Sequence, residues 1–443
     1  MASVPVQPSG SASSPDTPSF AELFKLWLRV GLISFGGPAG QIALMQRLLV
    51  DEKKWLSENR FLHALSFCML LPGPEAMQLA TYSGWLTHGV RGGIVAGLLF
   101  VLPGAFIVVA LALLYVEFGD IEAVAIAFVG IKAAVLAIVL AALMKIGKKA
   151  LLGWGQRILA LSTFAGLFLF DLPFPVIIAL AALAGAIWFK PKAAPDDLLD
   201  EAVVPPSLGR TGATVAIGAA IWFLPLIALS LIFAETSLAR DLSLFFSKLA
   251  VVTFGGAYAV LAYMTQQVVD SYAWMSTAQM VDGLGLAETT PGPLILVNAF
   301  VAFLAGFQAD GGGLAMAFLG AFIALWATFA PCFLWIFAAA PYVEHMRGMP
   351  TLAGALAGIS AGVVGVILNL AVWFGLVVIF GAIGAVDLAG LSLPWPDWAG
   401  LDPLAFGLAI LAAYLLLGRK WGVIRLLVLT ASLALGAWVL GWG

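Results

Sequence analysis

Two proline–glycine motifs interrupt long apolar stretches of this sequence. Pro-Gly-Pro at 72–74 divides the stretch 61–86, and the same motif at 291–293 divides the stretch 277–307. Proline removes a backbone N–H and clashes with the preceding turn, so each stretch is predicted to form two half-helices. The half-helix after each motif begins with unpaired N–H groups and partial positive charge, which suits an anion. The candidate binding residues from these motifs are Pro72, Gly73, Pro74, Pro291, Gly292 and Pro293.

A glycine pair precedes each motif, at Gly36-Gly37 and at Gly255-Gly256. Glycine allows a ligand to approach the backbone closely, and successive N–H groups can form an anion-binding nest. A single break of this kind is more simply interpreted as a kink that eases helix packing. The duplication of the whole set favours a binding site instead.

Ionisable residues within apolar stretches are the second signal. Lys132 lies in the middle of 121–144, where a charge costs about 2.5–3.5 kcal/mol on insertion scales and should face a cavity or a partner. Arg29 and Lys248 are further candidates for anion binding, although snorkelling to the interface explains them equally well.

Glu75 and Glu288 flank the two motifs and could carry a coupled proton or pair with a basic residue. A first-turn acid also complements the helix dipole, which explains Glu75 equally well. Gln78 lies one turn beyond Pro74 and could donate a hydrogen bond to an anion.

The composition determines what kind of protein carries these residues. Of 443 residues 62% are apolar and only 10% are charged, with a net charge of −3. A soluble domain has about 25% charged residues, so a soluble enzyme, a nucleic-acid-binding protein and a secreted disulfide scaffold are excluded. Cys68 and Cys332 lie far apart, and no metal or cofactor motif occurs in a suitable context, so we expect no cofactor and no metal. The remaining class is an all-α polytopic membrane protein.

Thirteen apolar stretches are predicted to cross the membrane. The segment 157–170 is short, and 351–380 is long enough to hide a break near Asn369. The predicted spans are 22–47, 61–86, 94–118, 121–144, 157–170, 173–189, 212–234, 241–265, 277–307, 314–340, 351–380, 403–417 and 422–441.

The chain contains an internal repeat, in which the segment 34–74 aligns without gaps on 253–293. The identities include Asp51 with Asp270 and Trp55 with Trp274 as well as the Gly and Pro motifs, which indicates duplication. The predicted organisation is a disordered tail (1–19), an N-terminal transporter half (20–189), a cytoplasmic linker (190–211), a connecting span (212–240) and a C-terminal transporter half (241–443).

Basic residues predict the orientation. With the N-terminus inside, thirteen spans place 14 Lys and Arg residues in the cytoplasm and five outside. The two halves then have opposite orientations, and inverted repeats are typical of transporters. Glycines at 93/97 and 354/358/362 have the spacing of close helix contacts, within one chain or between copies in a homodimer.

The sequence around these motifs resembles the chromate ion transporter family, in its long two-domain form. The resemblance rests on Phe35-Gly36-Gly37-Pro38, the region of Trp55, the segment Leu71–Gln78 and Leu102-Pro103-Gly104, with a weaker second copy at 253–256 and 290–293. It implies a bacterial inner-membrane exporter of chromate that confers chromate resistance, with sulfate as the expected competitor. The second copy departs from the first, because Ala257 replaces Pro38 and Leu294 replaces Glu75.

Membrane potential alone could drive such export, with or without a coupled proton. Two other classes stay open. One is a channel-like or importing transporter for sulfate or a related oxyanion, and the other is a membrane-embedded enzyme, for which no catalytic signature is visible.

Overall fold

The structure is a computed structural model whose regular elements are almost all helical, as the sequence predicts. It describes residues 18–35, 37–189, 208–233, 237–254, 257–342, 350–381, 383–388 and 391–441. The helices are α1 (Phe20–Ile33), α2 (Gly37–Gln46), α3 (Glu58–Cys68), α4 (Glu75–Phe118), α5 (Glu122–Ala150), α6 (Trp154–Phe168), α7 (Phe174–Trp188), α8 (Leu208–Ile232), α9 (Leu238–Val252), α10 (Ala257–Gln266), α11 (Thr277–Thr289), α12 (Val297–Gln308), α13 (Leu314–Ala339), α14 (Pro350–Phe380), α15 (Pro403–Ala413) and α16 (Val423–Val439).

One small sheet departs from the all-α prediction. Strands β1 (Ile383–Leu388) and β2 (Leu391–Pro396) form an antiparallel hairpin in which Ile383 is opposite Pro396. The hairpin lies between α14 and α15 and leaves the helical membrane fold intact.

The helices occur in the same order twice. A helix, a break, a short helix ending in a π turn, a third helix and a Pro-Gly-Pro motif follow one another in α1–α4, and again in α9–α12. The π turns, Arg47–Glu52 and Gln267–Ser271, lie at matching places. We call α1–α7 the first series and α9–α16 the second series. Helix α8 lies between the two series.

The last two helices of each series pack against one long helix of the other series, either α14 or α5. Helix α14 packs on α6 and α7, whereas α5 packs on α15 and α16. Glycines permit these approaches: Gly185 meets Gly354 and Gly358, and Gly130 meets the backbone at Thr430. The close contacts predicted from small-residue spacing at Gly354 and Gly358 are therefore confirmed within one chain.

The predicted spans are helical, but several boundaries differ. The stretches 22–47 and 241–265 are each two helices, because the chain leaves the helix at Ser34 and at Thr253. Helix α4 continues through the expected gap after residue 86 and bends at His88 and Gly89, where Gly89 has φ +60°. The suspected break near Asn369 is absent, since α14 is continuous.

Five described helices are long and apolar enough to cross a membrane by themselves. They are Glu75–Phe118, Glu122–Ala150, Gly209–Ile232, Leu314–Tyr342 and Ala353–Phe380. The other apolar helices are shorter, and many of them follow one another across a break. The thirteen individual spans and the inversion of the two series stay predictions, and most of the predicted linker lies outside the described residues.

Candidate functional site

The two Pro-Gly-Pro breaks dock onto the breaks that follow α1 and α9. The Gly73 N–H donates to the Thr253 carbonyl oxygen at 2.8 Å, and the Gly292 N–H donates to the Ser34 carbonyl oxygen at 2.9 Å. In the internal repeat, Gly73 corresponds to Gly292 and Ser34 to Thr253. Reciprocal contacts of this kind are what a two-fold relation generates. Four interrupted helices therefore meet in one region.

The conformation of each motif explains why glycine lies between the prolines. Gly73 has φ +119° and Gly292 has φ +92°, a region that residues with a Cβ rarely adopt. A Cβ at Gly73 would also lie 2.9 Å from Gln78 Nε2 and 3.0 Å from Cys332 Sγ. The prolines on either side end one helix and start the next, as the sequence predicts.

One glutamine forms a hydrogen bond with the backbone of each break, and both glutamines come from the first series of helices. Gln78 Nε2 donates to the Pro72 carbonyl oxygen at 2.6 Å. Gln41 Nε2 donates to the Gly292 carbonyl oxygen at 2.5 Å and more weakly to that of Ser34 at 3.4 Å. These three bonds satisfy carbonyl groups that the helix interruptions release. The Oε1 atoms of both glutamines are buried and have no hydrogen-bond partner among the described residues.

The helices that start after the two motifs differ in the polarity of their first turns. Helix α4 begins directly at Glu75, with Pro74 as its N-cap, and its first N–H groups have no partner within the helix. The second motif leads into a tight 3₁₀ turn, Leu294–Leu296, whose three side chains are buried, before α12 begins. The first helix end is thus the more polar of the two.

The two acidic candidates lie on different sides of their motifs. Glu288 precedes its motif, is buried, and accepts a hydrogen bond from Tyr258 Oη at 2.8 Å. That hydroxyl is also the atom closest to where a Cβ on Gly37 would project, at 3.6 Å. Gly37, Tyr258 and Glu288 therefore lie together. Glu75 follows its motif as the first residue of α4.

Lys132 faces a partner. Its Nζ lies 2.9 Å from Asp282 Oδ1, and Asp282 Oδ2 accepts a hydrogen bond from Tyr115 Oη at 2.8 Å. The side chains of Lys132 and Asp282 are 22% and 9% exposed, so the pair is largely removed from water. Removing one partner from such a pair leaves a buried charge uncompensated. The pair also joins α5 to α11, one helix from each series.

Comparison of the sequence with known proteins identifies the family of this chain. The model of the chromate transporter family matches residues 21–186 and 240–439. The chain belongs to the chromate transporter family. It is therefore a multi-pass membrane protein of a transporter family, and its sequence resemblance to this family is confirmed.

Individual relatives match over most of their length. A chromate transport protein of Pseudomonas aeruginosa is 32% identical over 363 residues, which cover 80% of each chain. One from Cupriavidus metallidurans is 30% identical over 81% of this chain and 83% of its own. An uncharacterized transporter of Methanocaldococcus jannaschii is 26% identical over 96% of both chains. No solved structure matches the chain.

Arg29 and Lys248 occupy equivalent positions of this transporter, because the same alignment that pairs Ser34 with Thr253 pairs them when extended. Both residues are exposed, on α1 and α9. Lys248 Nζ lies 5.4 Å from the centre of the Tyr263 ring. Exposure favours the snorkelling interpretation, and a role in anion binding stays a prediction. Of the predicted glycines, Gly36, Gly255 and Gly256 lie outside the described residues.

Four polar residues near the breaks and the ion pair were missed by the sequence reasoning. Asp282 carried a signal, because it is a charge within the apolar stretch 277–307, as Glu288 is. Gln41 carried a similar signal beside the first glycine pair. Tyr115 and Tyr258 carried none, because tyrosine is common in membrane helices. The four are Gln41, Tyr115, Tyr258 and Asp282.

Proposed function

We propose that this protein exports chromate, a tetrahedral dianion, from the bacterial cytoplasm across the inner membrane. Membership of the chromate transporter family supports the class of cargo, and two relatives carry the name chromate transport protein. Sulfate has the same charge and shape and is the expected competitor. The family is one of transporters, and we propose no catalytic activity for this chain.

The observation that carries the proposal is the reciprocal docking of the two Pro-Gly-Pro breaks at Thr253 and Ser34. Interrupted helices are tolerated at membrane depth only where they face protein or a water-filled cavity. Their N-terminal N–H groups supply positive potential without a full charge. We propose that chromate binds here, against the start of α4 and the adjacent glycine backbone.

Two homologous halves would give this site a mechanism. We propose that residues 20–189 and 241–443 are inverted halves that exchange conformations, so that the site opens to one side at a time. The reciprocal packing of α5 and α14 on the terminal helices of the other half supports such an exchange, because each half has an equivalent contact to break and remake.

Glu75 is the residue through which proton movement would be coupled to anion transport. Glu75 lies at the helix end where we place the anion, and a carboxylate repels a dianion. Protonation of Glu75 therefore favours anion binding, so the proton and the anion would travel together. Lys132 gives little compensation for the anion, because its charge is already paired with Asp282.

Energetics limits the number of protons. Each charge that crosses 100 mV changes the free energy by about 2.3 kcal/mol, so a dianion leaving a negative interior gains about 4.6 kcal/mol. One accompanying proton reduces the gain from the potential to about 2.3 kcal/mol, and two protons abolish it. Export driven by the potential therefore allows at most one coupled proton.

Chromate uptake into everted membrane vesicles tests the proposal, because the cytoplasmic side faces the medium there. We expect saturable uptake that rises when the lumen is made positive and that sulfate inhibits. Vesicles lacking the protein are the control. Uptake that does not saturate would indicate a channel, and uptake that falls when the lumen is made positive would contradict export.

A further inference from the structure

A cavity of about 350 Å³ lies between the α6–α7 loop, the end of α10 and the middle of α14, and the transport proposal does not use it. Its polar lining is made of oxygen-bearing side chains. They are Asp171, Tyr263, Thr265, Gln266, Asp270 and Asn369. None of the described cysteine or histidine residues lines it. A bulk water occupies about 30 Å³, so the cavity has room for an ion together with several waters.

Two carboxylates give the cavity negative charge. Asp171 and Asp270 come from different series of helices, and both line the cavity. Neither forms an ion pair with any residue that the structure describes. Lys248, the basic residue beside Tyr263, lies over the ring of that tyrosine instead. A dianion would be repelled, so this is not a second chromate site.

One residue of the cavity lining has a buried hydroxyl group. Thr265 is only 4% exposed, lines the cavity, and its Oγ1 has no hydrogen-bond partner within the described part of the chain. A buried hydroxyl without a partner costs about 1–3 kcal/mol, so such groups are normally satisfied by protein, water or an ion.

The cavity wall is also held in an unusual conformation. Asp171 has φ +47°, which is uncommon for a residue other than glycine, and Gln266 Nε2 donates to its Oδ1 at 2.6 Å. This hydrogen bond from the Gln266 side chain fixes one carboxylate oxygen of Asp171 and leaves the other available. Strained residues held by their neighbours often mark ligand sites.

The corresponding region of the other series of helices includes basic residues. In the internal repeat, Gln266 corresponds to Arg47, which pairs with Glu52 at 3.4 Å. Lys420, with φ +54°, lies in the α15–α16 loop as Asp171 lies in the α6–α7 loop. Around Asp51, the counterpart of Asp270, the chain thus supplies basic residues of its own, whereas no basic residue of the described chain lines the cavity.

We propose that the cavity binds a hard cation such as Mg²⁺, Ca²⁺ or Na⁺, held by Asp171 and Asp270 with part of its water shell and with Thr265 Oγ1. Carboxylate, hydroxyl and amide oxygens are the ligands that such ions prefer, whereas soft metals prefer sulfur and nitrogen. The bound ion ties the α6–α7 loop to the end of α10. This site is independent of the chromate proposal.

Calorimetric titration of the purified full-length protein in detergent tests the site, with MgCl₂, CaCl₂ and NaCl compared at ionic strength fixed by choline chloride. We expect saturable binding of at least one cation, and the three arms identify which. Asp171→Asn and Asp270→Asn should each weaken that binding by about tenfold or more. Asp310→Asn, a matched change of an exposed acid in the α12–α13 loop, should leave it unchanged.

Thr265→Val separates a ligand from a structural residue. Its hydroxyl has no partner to lose, so the thermal midpoint measured without the cation should not fall, whereas cation affinity should fall several-fold. Absence of saturable binding to the wild-type protein would overturn the proposal. Wild-type affinity in both aspartate variants would do so as well, even if Thr265→Val lost stability.

Discussion

The two Pro-Gly-Pro breaks have the same backbone and different side chains. In both, a left-handed glycine donates to the carbonyl oxygen of a Ser or Thr in the other series of helices. The first break leads into a helix that begins with Glu75 and carries Gln78, whereas the second leads into the apolar turn Leu294–Leu296. The acid of the second break, Glu288, lies before the motif.

The shared backbone and the different side chains of the two breaks have separate roles. The shared backbone geometry is what a site with two equivalent states needs, because each half must be able to adopt the arrangement of the other. The unequal side chains make the two breaks chemically different. We therefore expect equal effects of backbone changes and unequal effects of side-chain changes.

Replacement of the central glycines should have the largest effect and tests the shared backbone. Gly73→Ala and Gly292→Ala both place a Cβ at positive φ, which costs about 1–3 kcal/mol of strain, and both meet neighbours at 3.0 Å or less. We expect each variant to lose at least about tenfold of chromate uptake in everted vesicles.

The matched control is Gly311→Ala. Gly311 also has positive φ, at +70°, but no described atom lies within 4 Å of a Cβ placed there. This variant should transport chromate normally. Normal transport by Gly292→Ala with failure of Gly73→Ala would reduce the second break to a packing kink.

The ion pair between the two series should show the next largest effect. Lys132→Met or Asp282→Asn alone leaves a buried charge without its partner and should destabilise the protein by about 3–5 kcal/mol. The double variant should regain most of that stability in thermal unfolding, and it should regain transport. A double variant that is stable but does not transport chromate would instead indicate that the positive charge of Lys132 interacts with the anion.

The two acids sharpen the comparison further. Protonation removes a negative charge from the site, so wild-type chromate affinity should rise as pH falls. Glu75→Gln should abolish this pH dependence, because Glu75 lies at the start of α4. Glu288→Gln keeps a hydrogen-bonding group for Tyr258 and should retain it. Titrations of chromate binding over a range of pH measure both variants, and the reverse pattern would exchange the roles of the acids.

The glutamines should show the smallest effects. Gln41→Leu removes two hydrogen bonds to released carbonyl groups, one of them long, and Gln78→Leu removes one. Each variant also removes one unpartnered Oε1, so the net loss of stability should be about 1 kcal/mol. Equal losses in thermal unfolding would show that each break is supported by one glutamine. A loss above about 3 kcal/mol for either would assign that residue a charged or ligand-linked role.

The sequence was sufficient for the local features of this fold. Proline chemistry predicts the breaks at 72–74 and 291–293. The spacing of Gly354 and Gly358 predicts a close helix contact, which α14 makes with α7. Asn369 shows the limit of such reasoning. A polar residue in an apolar stretch was interpreted as a break, but it lies in a continuous helix and lines a cavity.

Pairings between distant residues could not be predicted. Nothing near Lys132 in the sequence indicates Asp282, because the partner lies far along the chain on another helix. The docking of Gly73 on Thr253 likewise depends on how the two series pack, which local patterns do not encode. The repeat indicated equivalent residues without indicating that they meet.

An anomalous-difference map at the chromium edge, from crystals of the protein grown with chromate, tests the central claim most directly. We expect a peak within hydrogen-bonding distance of the backbone at the start of α4, beside the paired breaks. A well-occupied peak elsewhere in the membrane region, with none at the breaks, would contradict it.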